Sequence, residues 1–355
     1  MSHIGDPFDD IPLLPPRAEL ESIEVMRACV SASRSLAELQ GLVGMLPEKR
    51  ILLELLPMQE SESSSAIENI VSSKKRLFLA SSGNKDMLDK STREIVGYNR
   101  AISVASGKIP DMSTVKEICS TILGDTMEFR SEKDETIGLF SYGSKVPVYT
   151  PPSGKVVGRL MRNLQEYIFT DDEVDPLIKM AVIHYQFEAT HPFFDGNGRT
   201  GRILNIVYLQ YSKLLKDPAL FLSGFIISNK SRYNDLLNSV TTRDDWEPWI
   251  LFMLEGVEKT SKQTISTIRS IVGMMKDCKK LCQEAGIPEK CAEAVFGNPF
   301  CTVSMMQEAI GCSRPSSVKY LRALEGKGIL AASKGRGALV FENICLLKLF
   351  SNDAV

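Results

Sequence analysis

Histidine is scarce in this chain, with three in 355 residues, and tryptophan is scarcer still, with two. Neither sign of charge is in excess, since 42 basic residues face 44 acidic ones. That balance excludes a global pull toward nucleic acid or an anionic membrane, so any basic surface must be local. No apolar run approaches the ~18 residues needed to span a bilayer. The start, MSHIGDPFDDIPLLPP, lacks a basic segment followed by an apolar one. It therefore predicts no signal peptide and a cytoplasmic protein without a membrane partner. None of the eight cysteines forms a CxxC pair. Cys278 and Cys282 stand one helical turn apart with no matching Cys/His pair downstream, which argues against zinc and for reduced thiols. What is present is ordinary for a soluble globular protein: 43% apolar and 24% charged residues, and a length that suits two or three domains.

One of the three histidines heads the segment His191-Pro192-Phe193-Phe194-Asp195-Gly196-Asn197-Gly198-Arg199-Thr200-Gly201-Arg202. Apolar helical runs flank it, Leu177 to Thr190 before and Ile203 to Leu215 after. A histidine can accept a proton near neutral pH. Glycines let backbone N–H groups turn toward an anion, and a helix starting beside them adds the positive end of its dipole. Arginines grip phosphate oxygens with a planar fork. Asp195 is placed to hold a hard cation such as Mg²⁺. Together these describe a phosphate-binding loop with a base at its entrance. A glycine pair joining two helices is commonly a mere connection. Here four chemically active side chains at fixed offsets argue against that.

The segment matches His-x-Phe-x-Asp/Glu-Gly-Asn-Gly-Arg-x-x-Arg at every specified position. It resembles the Fic-domain proteins, most of which transfer AMP from ATP to a protein hydroxyl. A second match lies upstream. Ser61-Glu62-Ser63-Ser64-Ser65-Ala66-Ile67-Glu68-Asn69-Ile70 reads first as a helix start, its serines capping and Glu68 reciprocating. Ser64-x-x-x-Glu68-Asn69 also fits the Ser/Thr-x-x-x-Glu-Gly/Asn inhibitory motif of many Fic proteins.

Taken in order, residues 1–17 read as an extended arm that either docks through Phe8, Ile11, Leu13 and Leu14 or stays disordered. Helical periodicity covers Glu19 to about Leu42 and Glu48 to about Leu56, with Pro57 ending or kinking the second. Residues 72–90 read as a mobile connection. Helices are expected over Thr92–Ala105, Thr114–Leu123, Val156–Phe169, Asp175–Thr190 and Leu220–Leu237, and from Asp245 to about Met275. Between Glu128 and Pro152 the helical period fails and a β-hairpin is expected. At this place the resemblance implies a flap that pairs with the target peptide, through Val148 and Tyr149. His184 reads as a core or supporting histidine. Glu289–Phe296, Val303–Ile310 and Ser316–Gly326 read as helices, and Leu330–Ser333 with Ala338–Phe341 as a hairpin. That is the order of a winged helix. Six basic residues, Arg314, Lys319, Arg322, Lys327, Lys334 and Arg336, stand against Glu325 alone. DNA binding there is open but not favoured.

The expected fold is therefore mainly α: a Fic-type helical bundle with a β-hairpin flap and a small α+β winged-helix domain. The expected division is 1–100 for the arm and inhibitory region (the helix at about 61–72), 101–260 for the Fic core, 261–285 for a connecting helix and 286–355 for the winged helix. The resemblance implies a protein adenylyltransferase using ATP and Mg²⁺. His191 would be the catalytic base and Asp195 the metal ligand. Gly196, Asn197, Gly198, Arg199, Thr200, Gly201 and Arg202 would bind the phosphates, and Tyr233 the adenine. Glu68, with Ser64 and Asn69, would block the site by pairing with Arg202. Removal of AMP from a target, and a DNA-binding regulator that senses nucleotide, are the alternatives. The target protein, self-modification and a homodimer stay open.

Overall fold

A computed structural model describes residues 6–46, 55–73, 76–77, 89–135, 137–138, 149–334 and 339–352. The helices of its larger part are α1 (Ile23–Gly44), α2 (Leu56–Ile67), α3 (Lys90–Ala105), α4 (Met112–Leu123), α5 (Gly154–Phe169), α6 (Pro176–Thr190), α7 (Asn197–Tyr211), α8 (Ser223–Ser228), α9 (Lys230–Arg243) and α10 (Trp246–Glu284). A smaller unit follows with α11 (Lys290–Phe296), β1 (Phe300–Thr302), α12 (Val303–Ile310), α13 (Arg314–Gly326), β2 (Leu330–Lys334), β3 (Leu339–Asn343) and α14 (Ile344–Asn352). The protein is mainly α, as expected, with one antiparallel sheet in the order β1-β3-β2.

The bundle is built around α6, in which every residue from Leu177 to Phe187 is buried. A helix apolar on all sides belongs in a core. Asp175 starts it, its carboxylate accepting from Leu177 N at 2.8 Å, with Pro176 in the first turn where no N–H is missed. α7 runs beside it and is buried from Ile203 to Leu209. α1 and the long α10 pack against one another outside this pair.

Several expectations need correction. The serine cluster does not open a helix. It lies inside α2, whose C-cap is Glu68 and whose next residue, Asn69, is left-handed at φ 62°. Asparagine tolerates that conformation and so stops the helix. Ser61 answers its lost capping role by donating to Pro57 O at 2.6 Å. Pro57 itself stands in the first turn of α2. Residues 47–54, the body of the helix expected there, lie outside the described residues, as do 74–75 and 78–88 of the expected connection. α7 begins six residues before Ile203, inside the motif, and ends at Tyr211. The run expected over Leu220–Leu237 is broken at Asn229 into α8 and α9. β1 and α14 had no counterpart in the periodicity.

The N-terminal arm docks. Ile11 and Leu14 are buried, Leu14 is bracketed by the Asn163 amide, and Asp9 accepts from Ser153 N at 2.7 Å at the head of α5. A second core joins Leu55, Met58 and Ile95 to Ile271, Met275, Cys278 and Cys282 of α10 and to Val295, Phe296 and Phe341 of the smaller unit. The start of α2 thus belongs to a core shared by the two parts of the chain.

Candidate active site

His191 follows α6 as its C-cap, left-handed at φ 48°, with its N–H bonded to Phe187 O. The turn ends α6 while the backbone stays tied to the helix, and the imidazole Nδ1 is buried without a hydrogen-bond partner among the described residues. Arg130 holds this turn from behind. Its guanidinium donates to His191 O at 2.9 and 3.0 Å, Thr190 O at 3.2 Å and Pro152 O at 2.9 Å, so a buried cation satisfies the last carbonyls of α6. Burial, and then the Arg130 charge, push the His191 imidazole down to about 4. It is therefore neutral, and able to accept a proton, throughout the neutral range.

Past Pro192, Phe193 is locked into the core against Phe129, ring centroids 5.1 Å apart. The Asn197 side chain accepts from Phe193 N at 2.8 Å and donates to Phe193 O at 2.7 Å. The amide expected to face phosphate is thus engaged in closing the loop. Gly196 is left-handed at φ 76°, caps α7, and gives its N–H to Asp195 Oδ1 at 2.6 Å. The following N–H groups at the start of α7 have no intrahelical acceptors and remain the anion-facing donors. Thr200 is fully buried with its N–H on Gly196 O, and Gly201 lies so close to Glu188 and the Phe187 ring that a Cβ would collide with both. These two residues shape the helix start and are turned away from the mouth.

Arg199 and Arg202 are both buried and both held by Glu68. The carboxylate is 2.6 Å from Arg199 Nε and 3.1 Å from Arg202 Nη2. Pairing with Arg202 was expected, and the bridge to Arg199 was not. Ser64 completes the contact, its hydroxyl accepting from Arg202 Nε at 2.8 Å and its carbonyl from Nη2 at 3.0 Å. Gly198 makes room for it, since a Cβ there would lie 2.9 Å from both Glu68 Oε1 and Arg202 Nη1.

Asp195 is 58% exposed at its side chain. Its Oδ1 carries Gly196 N and Arg199 Nη2, while Oδ2 has no partner among the described residues. One free carboxylate oxygen at an open loop suits Mg²⁺, which takes few protein ligands and relies on water and substrate phosphates. No cluster of three metal-ligating side chains exists among the described residues.

Sequence reasoning missed three charged residues here. Arg130 was hidden in a stretch read as strand-like, yet residues 126–131 carry no regular structure. Glu94, on α3, pairs with Arg199 Nη1 at 2.7 Å across 105 positions of sequence. Glu188 lies one turn before His191, and its buried Oε1 has no hydrogen-bond partner among the described residues. Burial raises this carboxyl, Arg202 lowers it and Glu68 raises it, leaving it at about 7. Only Glu188 carried a hint, its spacing from His191.

Tyr233 is buried in an aromatic cluster with Trp249 and Phe252, its hydroxyl 3.0 Å from His184 Nε2. His184 is pushed down to about 3, chiefly by burial, and supports the core as expected. Tyr149 donates to Ala189 O at 2.8 Å beside the end of α6. Val148, with residue 136 and residues 139–147 of the expected hairpin, lies outside the described residues.

Comparison with known proteins bears on this geometry. The model described as Fic/DOC family N-terminal matches residues 26–106, and that described as Fic/DOC family matches 110–209. The chain is 40% identical over 63 residues to a probable protein adenylyltransferase of Aquifex aeolicus, covering 18% of this chain and 19% of that protein. It is 26% identical over 225 residues to protein adenylyltransferase fic-1 of Caenorhabditis elegans, covering 58% and 41%. The chain thus spans less than half the length of either. Among solved structures, a Fic family protein from Desulfovibrio desulfuricans shares the fold at a TM-score of 0.61 and 17% identity, covering 93% of this chain and 99% of that one. Fic-1 of C. elegans does so at 0.50 and 20%, covering 69% and 74%.

Proposed function

Because the chain belongs to the Fic/DOC family, we propose that it is a protein adenylyltransferase, a nucleotidyltransferase that moves AMP from ATP to a protein hydroxyl and is held off at rest by Glu68. The observation that carries this reading is the bridge from Glu68 to both arginines beside a neutral His191. Two guanidinium groups at a helix start form a seat for a polyphosphate, and a carboxylate of this chain sits in it.

In the transfer, His191 takes the proton from a Ser, Thr or Tyr hydroxyl as its oxygen attacks the α-phosphorus of ATP. A P–O bond to the target forms, the P–O bond to the β-phosphate breaks, and pyrophosphate leaves. The N–H groups at the start of α7 face the charge that develops on the α-phosphate. Arg199 and Arg202 hold the β- and γ-phosphates, which fixes the line of attack. Mg²⁺, when bound at Asp195, would offset phosphate charge. With Glu68 in place the γ-phosphate has no seat, and a misplacement of about 1 Å can cost ~100-fold in rate. Tyr149, tied to the end of α6, marks where the flap would bring the target hydroxyl to His191.

Residues 290–343 follow the helix–helix–hairpin order of a winged helix, and we read them as a docking module. Among the basic residues counted there, Arg322 is paired with Glu325 and Lys327 with Glu284, which lowers the charge left for a phosphate backbone. All eight cysteines are free, which supports a reducing compartment such as the cytoplasm.

The test is incubation with α-labelled ATP and scoring of label on protein. Wild type is expected to label weakly, Glu68→Gly strongly on itself or a lysate target, and His191→Ala not at all. Equal labelling by wild type and Glu68→Gly removes the inhibition, and labelling by His191→Ala removes the base.

A further inference from the structure

Arg199 is fully buried, and each edge of its guanidinium meets a different carboxylate. Nε lies 2.6 Å from Glu68 as an ion-pair contact without hydrogen-bond geometry, while Nη2 donates to Asp195 at 3.1 Å and Nη1 to Glu94 at 2.7 Å. The three partners differ in how firmly they are held. Glu68 ends α2 and is the group that must leave for the γ-phosphate to take its seat. Asp195 is 58% exposed on the loop and is the group that would turn to a cation. Glu94 is 9% exposed in the body of α3, which packs on α4 and α7, and among the described residues the solvated Lys90 ammonium, 3.9 Å away, is its other cationic partner.

We propose that Glu94 is a positioning residue for the transfer, the one counter-ion that stays on Arg199 when the site opens. The inference rests on the adenylyltransferase reading of the site. Glu94 keeps Nη1 and thereby decides that Nε and Nη2 are the edges offered to phosphate. A guanidinium on a long flexible stem loses that aim once its fixed partner is gone. A buried cation without its carboxylate also reorganises toward whatever charge it can reach. α3 thus supplies the aim of an arginine carried by α7, through a contact that neither segment reveals alone.

The experiment uses the full chain in the Glu68→Gly background, with ATP binding followed by calorimetry and transfer by label. Glu94→Ala is expected to weaken ATP binding about 10-fold and to lower kcat/KM for ATP by at least that factor, because misaligned phosphates slow the step as well as weaken the complex. Glu94→Gln keeps an acceptor oxygen at the same reach and should stay within about 3-fold of the parent. In an Arg199→Ala background Glu94→Ala should have no further effect, since the partner it aims is absent. Binding and kcat/KM unchanged by Glu94→Ala overturn the proposal. So does a loss that persists undiminished without Arg199, which would mark Glu94 as a packing residue of α3. If Glu68→Gly transfers no AMP at all, the functional reading fails separately, and the ATP dissociation constants still decide the role of Glu94.

Discussion

His191 is set apart from an ordinary histidine by its surroundings. Burial and Arg130 hold it neutral down to about 4, so its activity should not follow the usual imidazole titration. Measured as kcat/KM in Glu68→Gly/Glu188→Gln, which removes the other group titrating near neutrality, transfer should stay level from about pH 8 to about pH 5.5. An acid limb centred near 6.5 would mean a solvated imidazole. Glu188 makes a stability prediction. Its folded-state value is raised from 4.5 to about 7, so the fold prefers it protonated. That preference contributes fully below 4.5 and is lost as pH rises through about 7. Glu188→Gln should therefore melt with wild type near pH 4 and above it near pH 8, by up to about 3 kcal/mol. Identical melting curves at the higher pH would show that Arg202 already neutralises this carboxylate. His191, Asp195 and Arg202 stood out as candidates by residue type and spacing. Arg130 and Glu94 did not, because each meets a partner brought near by packing, and Glu188 offered only its spacing from His191.

At the scale of the element, α2 is where sequence and structure part. A serine-rich stretch ahead of a glutamate fits a helix start by its capping chemistry. The structure makes it a helix end, because Asn69 accepts the left-handed turn and the serine hydroxyls find partners on Pro57 and Arg202 instead of orphan N–H groups. Glu68 then projects from the last turn toward α7. Asn69→Val should cost about 1–2 kcal/mol, since a β-branched residue resists positive φ, and the disordered last turn should release Glu68. Raised basal labelling with a lowered Tm is the expected pair of results, with Asn69→Gly close to wild type in both. Unchanged labelling by the valine variant would show that Glu68 is held by its arginines alone. The long helices α1, α6 and α10 were legible because their apolar periods are long. β1 was not, because three residues carry no period.

For the whole molecule, the second hydrophobic core matters most. Leu55 and Met58, at the start of α2, share it with Phe296, Phe341 and Cys278. α2 therefore shares a core with the smaller unit and also packs on α3. Deleting residues 286–355 should bare that face, lower Tm and raise basal labelling, because Leu55 and Met58 lose apolar partners of the core they share with the smaller unit. A shortened chain that labels as weakly as wild type would show that the arginine contacts suffice. Residue order alone singled out the candidates: the histidine, the aspartate, the two arginines and, through a motif resemblance, Glu68 are local patterns, and local patterns survive in one dimension. Only the tertiary structure decided where α2 ends, that Glu68 spans two arginines, and that Glu94 shares one of them. Those contacts join groups over a hundred residues apart, and their geometry comes from how helices pack around α6.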